Sequence, residues 1–193
     1  MFLKNTLFQA VTTSPGIADT LAMHLGPKVQ NESMLDGYNQ QIEDNLLEQT
    51  IWWLNGYKLF SVSSIALSSK DGFFSELNES SCFALYKSTY AQIGGFDERF
   101  ITPGGGATNL DFFNNVMELN DNTPVILMGE ATFHQYHGGV ATNVAMKEHP
   151  WEAFAQEYRT IRRKDYLPTF KKPYYFGDMN PESAHLGVAA AKF

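Results

Sequence analysis

The stretch from Tyr90 to Phe113 limits this chain more than any other. Tyr90-Ala91-Gln92-Ile93 closes a short helix that begins near Lys87, and Gly94-Gly95 stops it, because glycine enters the left-handed backbone region without steric cost. Asp97-Glu98-Arg99 then leads past Pro103 into Gly104-Gly105-Gly106, after which Asn109-Leu110-Asp111 opens the next helix. The first turn of a helix has free backbone N–H groups and a positive dipole end, which suit an anion or a sugar hydroxyl. One reading of the segment is a binding loop followed by a helix start. The other is a helix C-cap followed by an Asn or Asp N-cap.

The flanks alternate between strand-like and helix-like patterns. Ile17–Leu25 reads as a strand ended by Gly26-Pro27. Ser33-Met34-Leu35-Asp36 has the form of a capping box, and Met34, Tyr38, Ile42 and Leu46 follow at four-residue steps, which predicts one helix over about 34–49. Tyr57–Ser64 and Ser81–Tyr86 are β-like, with a polar loop between them over Ser68–Ser80. Leu110, Phe113, Val116 and Met117 predict a helix over 109–119, and Pro124–Met128 and Ala131–Tyr136 predict two further strands. Pro150 begins a helix to Arg163, with Trp151, Phe154, Tyr158 and Ile161 on one face and Arg159, Arg162, Arg163 and Lys164 at the end the macrodipole offers to cations. Phe2–Ala10 has helical character but no capping signal, as if an element were cut in its middle. The expectation is an α/β chain with one domain over 1–165 and a wrapping tail over 166–193.

Composition narrows the partners. A net charge of −7 and a pI near 5.2 argue against a nucleic-acid partner, since phosphate-backbone binding depends on Lys and Arg. Cys82 is the only cysteine, so one chain can build neither a disulfide nor a cysteine zinc site, and a cytoplasmic location is the default expectation. No window approaches the roughly 18 apolar residues of a membrane span, and Asn5, Thr6 and Gln9 interrupt any signal-peptide core. The 15 Phe and 9 Tyr suit either a dense core or a ring-stacking groove.

Gly94-Gly95-Phe96-Asp97-Glu98-Arg99-Phe100 resembles the GGFDE-x-F segment of glycosyltransferase family 2 and related GT-A enzymes, where it precedes an acidic ED-x-D-L motif on a helix. The order of strand, short helix, glycine turn and following helix matches from about Ser81 to Glu118. The resemblance implies a GT-A-like fold of the nucleotide-diphospho-sugar transferase type, a mixed sheet flanked by helices, cut short at the N-terminal side. It implies that Asp97, Glu98, Gly104, Gly105 and Asn109, with His24, face a substrate. With Asp111-Phe112 aligned to the D-L of the motif, its Glu-Asp pair falls on Thr108-Asn109. Asparagine cannot take a proton from an acceptor hydroxyl, so Asp111 is the remaining candidate for the base, or else it caps its helix. A buried, satisfied His24 is likewise the structural alternative to a cleft residue.

Gly129-Glu130-Ala131-Thr132-Phe133-His134-Gln135-Tyr136-His137-Gly138-Gly139 is a second constellation. In a strand His134 and Tyr136 would share one face and His137 would point elsewhere. In the family a histidine after the last core strand completes the coordination of a divalent ion, Mn²⁺ or Mg²⁺, held by an upstream DxD. His137 matches that position best and His134 second. This sequence contains no DxD. The expectation is therefore the acceptor-side part of a glycosyltransferase that moves a sugar from a nucleoside-diphosphate-sugar donor to a hydroxyl acceptor, inverting and metal-dependent when intact and inactive as this chain alone. The alternative is a non-catalytic carbohydrate-binding or assembly module with the same outline. Self-association through an exposed sheet edge is expected in either case. The transferase reading requires the turn at Phe96 and the edge at His137 to meet in one pocket.

Overall fold

The computed structural model describes residues 16–74, 76–77 and 82–191. The helix expected over Phe2–Ala10 and the Ser81 start of the expected strand lie outside them.

Four strands form one mixed sheet: β1 (Ala18–Leu25), β2 (Ser63–Ile65), β3 (Val125–His134) and β4 (Tyr174–Phe176), in the order β2-β1-β3-β4. β1 and β2 run antiparallel with His24 opposite Ser64, while β3 and β4 run parallel with Ile126 opposite Tyr175. Among the described residues five α-helices accompany them: α1 (Gln30–Leu35), α2 (Gln40–Thr50), α3 (Lys87–Gln92), α4 (Thr108–Glu118) and α5 (Trp151–Arg162). The chain is thus α/β with a mixed sheet, as expected. No described helix is long and apolar enough to cross a membrane.

The chain divides into two compact units. The first comprises the described residues within Met1–Thr20, Glu76–Met128 and Pro150–Gly177. Its core follows from α4, which buries Phe112, Phe113, Val116 and Met117 on one face. Phe96 stacks on Phe112 with ring centroids 4.3 Å apart, and Phe83 packs against Phe112 at 5.0 Å. Phe100, Ala107 and Tyr158 form a neighbouring cluster that joins the loop after the glycine turn to α5. Each large side chain buried in this way contributes roughly 1.5–3 kcal/mol. Tyr174–Phe176 adds a strand to β3, and the Lys171 ammonium donates to the carbonyls of Leu119 and Asn122.

The second unit comprises Leu21–Ser75, Gly129–His149 and the described part of Asp178–Phe193. Leu21, Met23, Leu25, Phe60 and Phe73 are among its buried apolar residues, with Phe133 edge-on to Phe60 at 5.2 Å. The single helix expected over 34–49 is two helices here. Gly37, at φ +92°, and the extended Asn39 separate them, and the Asn39 side chain caps α2 by accepting from the Ile42 N–H at 3.2 Å. The capping residue is therefore Asn39 and not Ser33, whose hydroxyl instead closes the turn at Lys28. The face is different as well. Ile42 is 45% exposed while its neighbour Glu43 is 3% exposed, so the apolar stripe does not point into the core. Tyr57–Ser64, expected to be β-like, is mostly a 3-10 turn over Gly56–Val62.

The two strands expected around Gly129 are one continuous strand. Gly129 has φ +77°, and a Cβ there would come within 2.5 Å of the Asp178 carbonyl, so only glycine lets that backbone approach.

Candidate functional site

In the first unit the glycine turn closes on itself. Gly94 and Gly95 both have positive φ, the Gly95 N–H donates to the Tyr90 carbonyl, and a Cβ on Gly95 would lie 2.7 Å from the Tyr90 ring. The turn delivers Asp97 to a charged cluster. Arg162, the last residue of α5, donates from Nε to Asp111 Oδ1 and from Nη2 to Asp111 Oδ2, both at 2.6 Å. The same Nη2 lies 2.8 Å from Asp97 Oδ2. Arg99 grips Asp97 from the other side, with Nε to Oδ1 at 2.9 Å and Nη2 to Oδ2 at 2.6 Å. Asn115, one turn along α4, donates to Asp111 Oδ2 at 3.1 Å.

Asp111 is 2% exposed and both its oxygens are spent on Arg162, a geometry among the strongest a carboxylate can have. Taking a proton from a substrate would require that fork to open. The Arg99 hydrogen bond, and Arg162 beside it, hold the Asp97 carboxyl well below the usual carboxylate range. Asp111 and Asp97 in turn hold the Arg162 guanidinium firmly charged.

Beside this cluster lies an open cleft of about 800 Å³. Gly94, Gly95, Phe96, Asp97 and Glu98 line it together with Asn115, Arg162 and Lys164. Of the residues the sequence singled out, Asp97 and Glu98 face this cleft and Asp97 meets Asp111 through Arg162. Gly104, Gly105 and Asn109 are not among the residues lining it. The glycine loop is held instead by α5, where Glu157 Oε1 accepts the N–H groups of Ile101 and Thr102, each at 2.8 Å. A Cβ on Gly106 would come within 2.5 Å of Glu157 Oε2.

The three singled-out histidines belong to the second unit. His24 and His134 have ring centroids 5.3 Å apart, and His134 and His137 are 4.9 Å apart. The strand ends at His134, so Tyr136 and His137 do not follow its alternation. The Tyr136 N–H turns to both oxygens of Glu43, each at 3.0 Å, and the His137 ring comes back beside His134. His24 Nδ1 accepts the Gln30 N–H at 2.8 Å, which puts the proton of the neutral ring on Nε2. Burial, aided by His134, pushes the His24 pKa down to about 4, so the ring is neutral near pH 7. Burial also lowers His134, whose Nε2 is 3.3 Å from the Thr142 hydroxyl. Burial raises the Glu43 carboxyl, whose hydrogen bonds come from neutral donors, Tyr136 N–H and Tyr38 OH. Among the described residues no group of three His, Cys, Asp or Glu is placed to hold a metal ion. The turn at Phe96 lies in one unit and His137 in the other.

Sequence reasoning missed Arg162, Arg99, Glu157 and Glu43. Arg162 lies four residues past Tyr158 and Glu157 three past Phe154, so the apolar face of α5 already placed both at its border. Arg99 is two residues from Asp97 and within reach of it on any tight turn. Glu43 gave no such signal, because the apolar stripe pointed to Ile42. Comparison with family models, with curated proteins and with solved structures finds no match for this chain.

Proposed function

We propose that this chain is a module of glycosyltransferase family 2-like type that contributes the acceptor side of sugar transfer from a nucleoside-diphosphate sugar to a hydroxyl, and has no turnover by itself. The observation that supports it is the turn at Gly94–Arg99, which resembles the family's segment and lines a cleft with its phenylalanine and both acids. The cleft suits a hydroxylated ligand. Phe96, 40% exposed, offers a ring face, Asn115 and Glu98 offer hydrogen-bond partners, and Lys164 adds a charge. A divalent metal belongs to this reading through His137 and His134. The described residues supply two imidazoles without a carboxylate companion free to join them, an incomplete donor set for Mn²⁺ or Mg²⁺, so no step runs through a metal here.

The second reading, a non-catalytic carbohydrate-binding or assembly module, is favoured by the Arg162 fork on Asp111 together with Asn109 at the family's acidic position. Calorimetric titration separates the two. A uridine or guanosine diphosphate that binds only with Mn²⁺ supports the transferase module, whereas oligosaccharide binding without nucleotide supports the binding module. Sustained turnover of a nucleotide sugar by this chain would overturn the inactivity proposed for it. Failure to bind any nucleotide or glycan would overturn both readings.

A further inference from the structure

The second unit holds a groove of about 610 Å³, within the range of about 300–1,000 Å³ that small-molecule sites occupy. Its apolar lining comes from Pro27, Tyr38, Ile42, Leu46 and Val62. This is where the α2 stripe goes: Ile42 stays 45% exposed, facing open space that nothing in the core fills.

The polar groups of the wall have a common bias. The Ser33 hydroxyl donates to the Lys28 carbonyl at 3.0 Å, Ser61 to the Lys58 carbonyl at 2.7 Å and Ser63 to the Leu59 carbonyl at 2.6 Å. The Tyr38 hydroxyl donates to Glu43 at 3.1 Å. A hydroxyl has one proton to give, so these four side chains keep only acceptor lone pairs for the groove. Asp36 adds a carboxylate at the rim, where it is paired with the Lys28 ammonium at 2.7 Å. Both partners of that pair are more than half exposed in their side chains, so solvent and competing cations exchange with it readily.

We propose that this groove is a binding site for an amphipathic cation, a primary amine on an aliphatic chain. The wall lacks side-chain donors and is rich in acceptors, so a ligand must bring its own N–H groups, and an ammonium brings three. Its chain lies along Ile42, Leu46 and Val62. The chain's net charge of −7 favours the approach of a cation over an anion. An anion of the same length finds no donor among the four hydroxyls and meets Asp36 at the rim, where the Lys28 ammonium is already paired.

The test follows methyl resonances of Ile42, Leu46 and Val62 during titration with n-hexylammonium, with n-hexanol and hexanoate as matched neutral and anionic probes. Saturable shifts with hexylammonium, weaker ones with hexanol and none with hexanoate are expected. Asp36→Asn should weaken hexylammonium roughly two- to fivefold, the scale of an exposed ion pair. Ile42→Ala, at an exposed position that leaves the fold intact, should weaken both hexylammonium and hexanol. Equal shifts from hexanoate, equal affinity for hexanol, or no saturable shift from hexylammonium would each overturn the proposal.

Discussion

The two units both bury carboxylates, and they handle the charge in opposite ways. In the first, Asp111 is almost fully buried, yet a guanidinium meets both its oxygens and reaches Asp97 with the same nitrogen. In the second, Glu43 is as buried but its hydrogen bonds come only from neutral donors, and the nearby histidines pack with their rings tilted to one another. Asp97 and Arg162 are therefore held in their charged forms, and the cluster is strong only while complete. Burial pushes the groups of the second toward their neutral forms, raising Glu43 and lowering His24 and His134. One is a clamp and the other a desolvated patch. The difference makes the first unit sensitive to loss of a partner and the second sensitive to pH.

Removing Arg162 should be the most damaging single change. Arg162→Met leaves Asp111 buried without its partner; for fully buried pairs the cost is about 3–5 kcal/mol, and Arg162 keeps 22% side-chain exposure, so about 2–4 kcal/mol is expected in chemical denaturation. A loss under about 1 kcal/mol would mean that the fork is not formed in solution.

The second unit should yield to acid at His24. Its folded pKa is lowered from 6.5 to about 4, so between those values the unfolded chain takes up a proton that the folded chain refuses. Stability therefore falls as pH drops through 6.5 and the loss is complete near pH 4, up to roughly 3 kcal/mol. His24→Asn should flatten this part of the stability profile, and an unchanged slope in the variant would assign the acid sensitivity elsewhere.

Smaller effects sharpen the comparison. Glu157→Gln keeps an acceptor for the Ile101 and Thr102 N–H groups but removes its charge, for a loss of about 1 kcal/mol and faster amide exchange at those two residues. Unaltered exchange there would separate Glu157 from the glycine loop. Asp97→Asn should cost less in stability at neutral pH, because its Arg99 partner is 62% exposed. Its signature is acid dependence. The folded carboxyl lies below its ordinary 3.8, so its contribution is present above that value and disappears as pH falls through the lower folded one. The variant should lack that last acid-dependent loss.

Much of the fold was legible because local patterns and tertiary packing agreed. The strand at Ile17–Leu25, the helix at 109–119 and the helix begun by Pro150 all appear within a residue or two of expectation. Reading failed where a long-range contact outweighed the local pattern. Ser33 looked like a helix cap but serves the Lys28 turn, and Gly129 looked like a strand break but is a close approach to Asp178. The sequence singled out the glycine turn and Asp111, but not the cation that meets Asp97 and Asp111. Arg162 lies 51 residues beyond Asp111, and its place at the border of the α5 apolar face does not say which carboxylate it meets.

A double-mutant cycle on folding stability decides whether Asp111 is held as a clamp. With Asp111→Asn, Arg162→Met and the pair measured together, the double variant should recover most of the loss of the single ones, a coupling of about 2 kcal/mol or more. Effects that add to within about 0.5 kcal/mol would show that Asp111 and Arg162 act independently, and would contradict the clamp.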